Sequence, residues 1–122
     1  MIALPTTSLV VDASFLIALA DQEPEASRFI PVLARSIVTS INMGEVLYKL
    51  DERASTPPRS RSAQTAAGIA TPRSLSLADL TCLAYATEVG LAILTGDRHW
   101  STLAPHGLTV ATFDFRDLEV TL

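Results

Sequence analysis

Four carboxylates of this 122-residue chain stand where an α/β sheet would gather them. Asp12 directly follows Leu9-Val10-Val11, a short apolar run rich in β-branched residues that reads as a strand buried on both faces. Asp97 follows a second such run, Leu91 to Thr95, within LAILTGDRHW. Glu45 and Asp79 fall in the first turns of two predicted helices. In a right-handed parallel sheet the crossovers carry strand ends and helix starts to one rim, and ligands of such sheets bind outside the carboxyl ends of the strands. Clustered carboxylates raise one another's pKa values unless cations neutralise them. Mg2+ or Mn2+ suits such a set, being oxygen-seeking and held by one or two carboxylates plus water and substrate phosphate. Ions of this kind activate water and stabilise the oxyanions of phosphodiester displacement.

Each acid has a plainer explanation when taken singly. Asn42-x-x-Glu45 and Ser76-x-x-Asp79 both look like capping boxes, and acids in first turns are favoured by the helix dipole. Asp97 in a Gly-Asp turn is unremarkable alone. Asp12 is harder to set aside, because a carboxylate directly after a buried strand is costly without a partner. The coincidence of four carries the argument.

The elements that must position these residues follow from the apolar spacing and the breakers. After the first strand a helix is predicted from Ser14 to Ala20. Pro24 suits the first turn of the next helix and Pro31 splits it. Ser36 to Ile41 reads as the second strand, and Asn42 then caps a helix carrying Val46, Leu47 and Leu50. Ala54 to Ser62, with Pro57-Pro58, reads as a loop; Ser62 to Ala70 reads as a short alanine-rich helix ended by Pro72. Ser76 caps the clearest helix, with Leu77, Leu80, Ala84 and Thr87 as its inward stripe and Gly90 as its C-terminal cap. The strand Leu91 to Thr95 follows, then a short helix at Trp100, a turn at His106-Gly107 and an edge strand from Leu108 to Phe113, beyond which the chain trails off. The pattern predicts a single α/β domain over residues 1–122, a sandwich with a mostly parallel sheet.

Composition agrees with a folded domain: 48% of residues are apolar and 18% charged. The apolar runs are too short to cross a membrane, and MIALPTTS lacks the features of a secretory leader, so cytoplasmic residence is expected. Cys82, the single cysteine, reads as a small core residue. The net charge of −4 weighs against nucleic acid as a partner, but four acids that hold cations would account for it. Of the nine basic residues only Lys49 is not arginine. Arginine favours planar, bidentate partners, which is compatible with RNA or with a protein partner. Arg98 and Arg116 in the chain's last third, and Arg59, Arg61 and Arg73 in the linker, are candidates to meet RNA, with solvated surface as the default. His99 and His106 read as loop histidines.

Taken together and in order, VVDASFLIALA, SINMGEVLYKL, LSLADLTCLAYA and ILTGDRHW resemble the PIN-domain family, in particular the VapC-type toxins of toxin–antitoxin pairs. The resemblance implies a PIN-like three-layer sandwich in which Asp12, Glu45, Asp79 and Asp97 bind Mg2+ or Mn2+ and carry catalysis. It implies an endoribonuclease that cleaves RNA, often tRNA or rRNA. The implied partners are a cognate antitoxin protein and a second copy in a homodimer. Ser14, Asn42 and Thr95 match recurrent polar positions of the family and take supporting roles, as does Arg98 beside the fourth acid. Trp100 matches the family's aromatic residue there and reads as packing. A fifth acid occurs in some related nucleases near the positions of Asp114 and Asp117.

One departure stands out. Only 34 positions separate Glu45 from Asp79, so a helix and edge strand that the family carries are expected to be missing between Arg53 and Ala63. A catalytically silent PIN-like module that only engages an antitoxin or other partner is therefore the alternative. A phosphoacceptor receiver would need an acid pair at the first strand and a lysine after the last, and a haloacid-dehalogenase-like phosphatase would need an aspartate at position 14. Neither pattern is present.

Overall fold

The computed structural model describes residues 1–55, 75–102 and 108–122. The elements in chain order are β1 (Ile2–Ala3), β2 (Leu9–Val11), α1 (Ala13–Ala20), α2 (Pro24–Ser27), a 3-10 helix (Ile30–Arg35), β3 (Ser36–Ile37) and α3 (Ser40–Ser55). After these come α4 (Leu77–Val89), β4 (Ile93–Thr95), a second 3-10 helix (Arg98–Thr102), β5 (Thr112–Asp114) and β6 (Val120–Thr121).

The architecture is mixed α/β with parallel pairing throughout the described strands. A four-stranded sheet runs β3-β2-β4-β5, and β1 pairs with β6 in a separate two-stranded sheet. Helices cover both faces of the larger sheet, and the strand alternation explains how. Leu9, Val11 and Leu94 point to a core with Phe15 and Ala18 of α1, Phe29, Val32, Phe115 and Val120. Val10 and Ile93 point to the other face and pack on Cys82, Leu83 and Ala86 of α4 and on Trp100. Each large side chain taken fully out of water contributes about 1.5–3 kcal/mol, so the two short central strands are fixed from both sides. Trp100 packs as expected, with no exposed surface.

Several local expectations are corrected. The strand predicted over Ser36–Ile41 is only Ser36–Ile37, because α3 starts at Ser40. Thr39 caps that helix: its hydroxyl accepts the Asn42 N–H at 3.3 Å and donates to Asn42 Oδ1 at 2.6 Å. Asn42 is therefore inside the first turn and fully buried, not the cap, and Glu45 lies in the second turn. In α4 the buried face is Ala78, Cys82, Leu83 and Ala86, whereas Leu77 and Leu80 are 70% and 50% exposed. Small side chains let the helix lie close to the sheet, which outweighs the size of the leucines. The caps of α4 are as predicted, with Gly90 at φ 70° in the left-handed region. Pro31 opens a 3-10 helix in place of a continued α-helix. The last strand of the sheet is Thr112–Asp114, shifted from Leu108–Phe113, and the carboxyl end does not trail off: β6 pairs with β1. Ala54 and Ser55 complete α3. The expected deletion after Arg53, the Ser62–Ala70 helix, the turn at His106 and the linker arginines Arg59, Arg61 and Arg73 lie outside the described residues, in whole or beyond Ser55. Among the described residues no helix is long and apolar enough to cross a membrane.

Candidate active site

The strand register builds a polar row at the carboxyl rim. Val11 pairs with Leu94 and Thr95 with Asp114, so one further step in register sets Asp12 opposite Thr95. Val10 pairs with Ile37, and two further steps set Thr39 on the other side of Asp12. Thr39, Asp12, Thr95 and Asp114 thus lie at or just beyond the ends of four adjacent strands.

Asp12 is the centre of this row. It is 3% exposed and caps α1, accepting the Phe15 N–H at 3.1 Å. Two hydroxyls complete its shell. Ser14 Oγ donates to its carboxylate at 2.8 and 2.9 Å, and Thr95 Oγ1 donates to Oδ2 at 2.6 Å. Both hydroxyls in turn accept backbone N–H groups from the turn after β4: Gly96 N–H to Ser14 Oγ at 2.8 Å, and Asp97 N–H to Thr95 Oγ1 at 3.0 Å. Two short relays therefore tie the Asp97 turn to the Asp12 carboxylate. Burial raises Asp12 to about 6; the Thr95, Ser14 and Phe15 donors pull it back in part, and the Asp79 charge adds a smaller upward push.

Asp79 comes into electrostatic range of Asp12 from α4, and it also closes the predicted capping box. It accepts the Ser76 N–H at 3.3 Å and its own N–H goes to Ser76 Oγ at 3.1 Å. Cys82, one turn along the same helix, is buried within electrostatic range of both: burial pushes its thiol up to about 12, and Asp12 and Asp79 add to that. It is a core residue, as its sequence setting implies.

Asp97 turns its carboxylate back on the following 3-10 helix, accepting the His99 N–H at 2.9 Å. It also lines an open cleft of about 450 Å³ together with Thr95, Arg98, Phe113, Asp114 and Arg116. Arg98 pairs there with Asp114, Nε to Oδ2 at 3.7 Å.

The remaining predicted residues are placed differently. Glu45 sits 3.9 Å from Lys49, one turn along α3, and among the described residues no hydrogen bond or ion pair joins it to the other acids. Asn42 is held by Thr39, and its buried Nδ2 has no hydrogen-bond partner among the described residues. The structure thus brings together Asp12, Ser14, Thr95 and the Asp97 turn, with Asp79 near, while Glu45 is engaged with Lys49. Among the described residues no three His, Cys, Asp or Glu side chains form a group able to hold a metal by themselves.

Two contributors were not read from the sequence. Gly96 is one: a Cβ there would lie 2.5 Å from Phe115 Cε1 and 2.8 Å from Arg116 Nη1. Arg116, expected to be solvated, is the other, since it donates to Gly96 O at 3.1 Å. A glycine directly before the fourth acid was the available signal for close approach.

Comparison with family models, with curated proteins and with solved structures gives no match.

Proposed function

We propose that the chain is a Mg2+- or Mn2+-dependent endoribonuclease of PIN-like fold, acting as the toxin of a toxin–antitoxin pair. The observation that carries this reading is Asp12, a buried carboxylate at the end of a central parallel strand, joined through two hydroxyls to the turn that holds Asp97. That is the rim where open α/β sheets bind ligands.

The donor set fits a hard divalent cation. Asp12 is desolvated, and its three donors do not offset the burial, so a positive charge nearby would favour the ionised form. Mg2+ needs only one or two protein carboxylates and fills its other positions with water and phosphate. Asp12 and Asp79 would hold it, with Asp97 contributing from the cleft side. When bound, the ion supplies activation of water and charge stabilisation at the phosphate. The chain's own residues have separate tasks. Ser14 and Thr95 fix the orientation of Asp12 and exclude water from it. The Gly96–Asp97 backbone transmits that order to Asp97, and the cleft beside Asp97 offers Arg98 to substrate phosphate.

The partners follow from the same reading: RNA as substrate, tRNA or rRNA among the candidates, a cognate antitoxin, and a second copy in a homodimer in the cytoplasm. An antitoxin arginine presented to the acids would replace a cation's charge there.

A specific observation favours the second reading, a catalytically silent partner-binding module. Glu45 pairs with Lys49, and Asp79 is engaged in its capping box. Incubation of the purified protein with total RNA in Mg2+ or Mn2+ separates the two. The nuclease gives discrete cleavage that EDTA stops and added metal restores. The silent module gives none, and its melting temperature does not rise with metal.

A further inference from the structure

We propose that Arg116 is a positioning residue for the Asp12–Asp97 site and not a contact for RNA. This rests on the nuclease reading for its kinetic consequences but not for its structural ones.

Arg116 follows β5 and reaches back across the sheet rim. Nη1 donates to Gly96 O at 3.1 Å, and Nη2 donates to Glu23 Oε2 at 3.2 Å, where Glu23 is the residue before α2. The guanidinium carbon lies 4.4 Å from the Phe115 ring centroid. That ring is buried and meets Phe15 of α1 edge-on, at 5.6 Å between centroids. The guanidinium is thus fixed by a backbone oxygen, a carboxylate and an aromatic face at once. A planar fork satisfies this geometry and an ammonium does not.

Gly96 is held from both sides. Its N–H goes to Ser14 and so to Asp12, while its C=O accepts from Arg116. Asp97, the next residue, hangs on the same peptide plane and on Thr95. Releasing the Arg116 end frees the turn that presents Asp97 and loosens the Ser14 relay to Asp12. The absence of a Cβ at Gly96 is what admits Phe115 and Arg116 so close. Arg28 provides the comparison. It also clamps this segment, donating to Phe115 O, Asp117 O and Val120 O, and none of these acceptors belongs to Gly96.

The test is amide hydrogen exchange at Gly96 and Asp97, read with RNA cleavage in the same variants. Arg116→Ala is expected to speed exchange of these two amides at least tenfold beyond any global change, whereas Arg28→Ala moves them only in step with global stability. Cleavage by Arg116→Ala is expected to lose about tenfold in kcat with KM unchanged, and Arg116→Lys to recover part of it. Glu23→Gln leaves the guanidinium in place with a weaker anchor. It is expected to move the same amides to a lesser degree, and it serves if Arg116→Ala does not fold. Unchanged exchange at Gly96 and Asp97 overturns the proposal. So does a rise in KM at constant kcat with a shallower salt dependence, the signature of a lost phosphate contact. If the wild type cleaves no RNA, the nuclease reading fails while the exchange data still decide the role of Arg116.

Discussion

Thr95 Oγ1 donates to Asp12 Oδ2 across 2.6 Å while accepting the Asp97 N–H across 3.0 Å. A single hydroxyl on β4 therefore links the carboxylate that ends β2 to the turn that carries the fourth acid. The link follows from parallel register, since Val11 faces Leu94 and the next residues on each strand are Asp12 and Thr95.

Thr95→Val tests that link. The valine keeps the shape but removes the donor from a buried carboxylate and the acceptor from the Asp97 N–H. Loss of a partner at a buried polar group costs about 1–3 kcal/mol. The loss is expected to be larger at pH 7 than at pH 4, because the ionised carboxylate depends more on its donors. Urea unfolding at both pH values measures it; an equal, small loss at both would mean that Thr95 does not support the charge.

Asp12 also sets a pH dependence of stability. Its pKa is about 6 in the folded chain against an ordinary 3.8, so the folded state binds this proton more tightly than the unfolded state. The group has no effect below pH 3.8, where both states are protonated. Its cost grows as pH rises from 3.8 to about 6 and is constant above, amounting to about 3 kcal/mol. Unfolding free energies of wild type and Asp12→Asn are expected to diverge by that amount across this window, on top of a constant offset. Parallel curves would place the Asp12 pKa near its ordinary value. Saturating Mg2+ or Mn2+ is expected to shrink the divergence by favouring the ionised form.

Two glycines should respond in opposite directions. Gly96→Ala forces a methyl group against the buried Phe115 ring and the Arg116 guanidinium, and overpacking of this kind costs about 1–3 kcal/mol. Gly44 lies inside α3 with nothing within 4 Å of a Cβ. Gly44→Ala should therefore stabilise by about 0.5–1 kcal/mol through helix propensity. Thermal melts of the two variants check both signs.

The site's centre was legible because its signals are local. A β-branched run that ends in an acid is a buried strand meeting a polar rim, and the Ser76-x-x-Asp79 and Gly90 caps are short-range chemistry. Other features depend on packing that no window of sequence reports. Apolar spacing does not identify the buried face of α4, which takes in alanines, a cysteine and Leu83 and leaves Leu77 and Leu80 exposed. Thr39 took the cap from Asn42 because either residue type can serve, and only the end of β3 decides between them. The pairing of β1 with β6 joins the two ends of the chain through two residues each, too little for periodicity to register. Arg116 and Gly96 meet across 20 positions; a glycine before the fourth acid signals close approach, but nothing near it names Arg116 as the group that approaches.

The central claim is that the rim acids act together in metal-dependent cleavage of RNA, and Asp79→Asn tests it most directly. An asparagine still offers an oxygen to the Ser76 N–H, so the cap and the fold are kept while the charge near Asp12 is removed. Total RNA incubated with wild type and variant in Mg2+ or Mn2+, with a chelator control, gives the readout. The account predicts cleavage by the wild type that is lost with chelator and reduced at least a hundredfold in Asp79→Asn. Equal cleavage by both proteins, or none from a folded wild type, would contradict it.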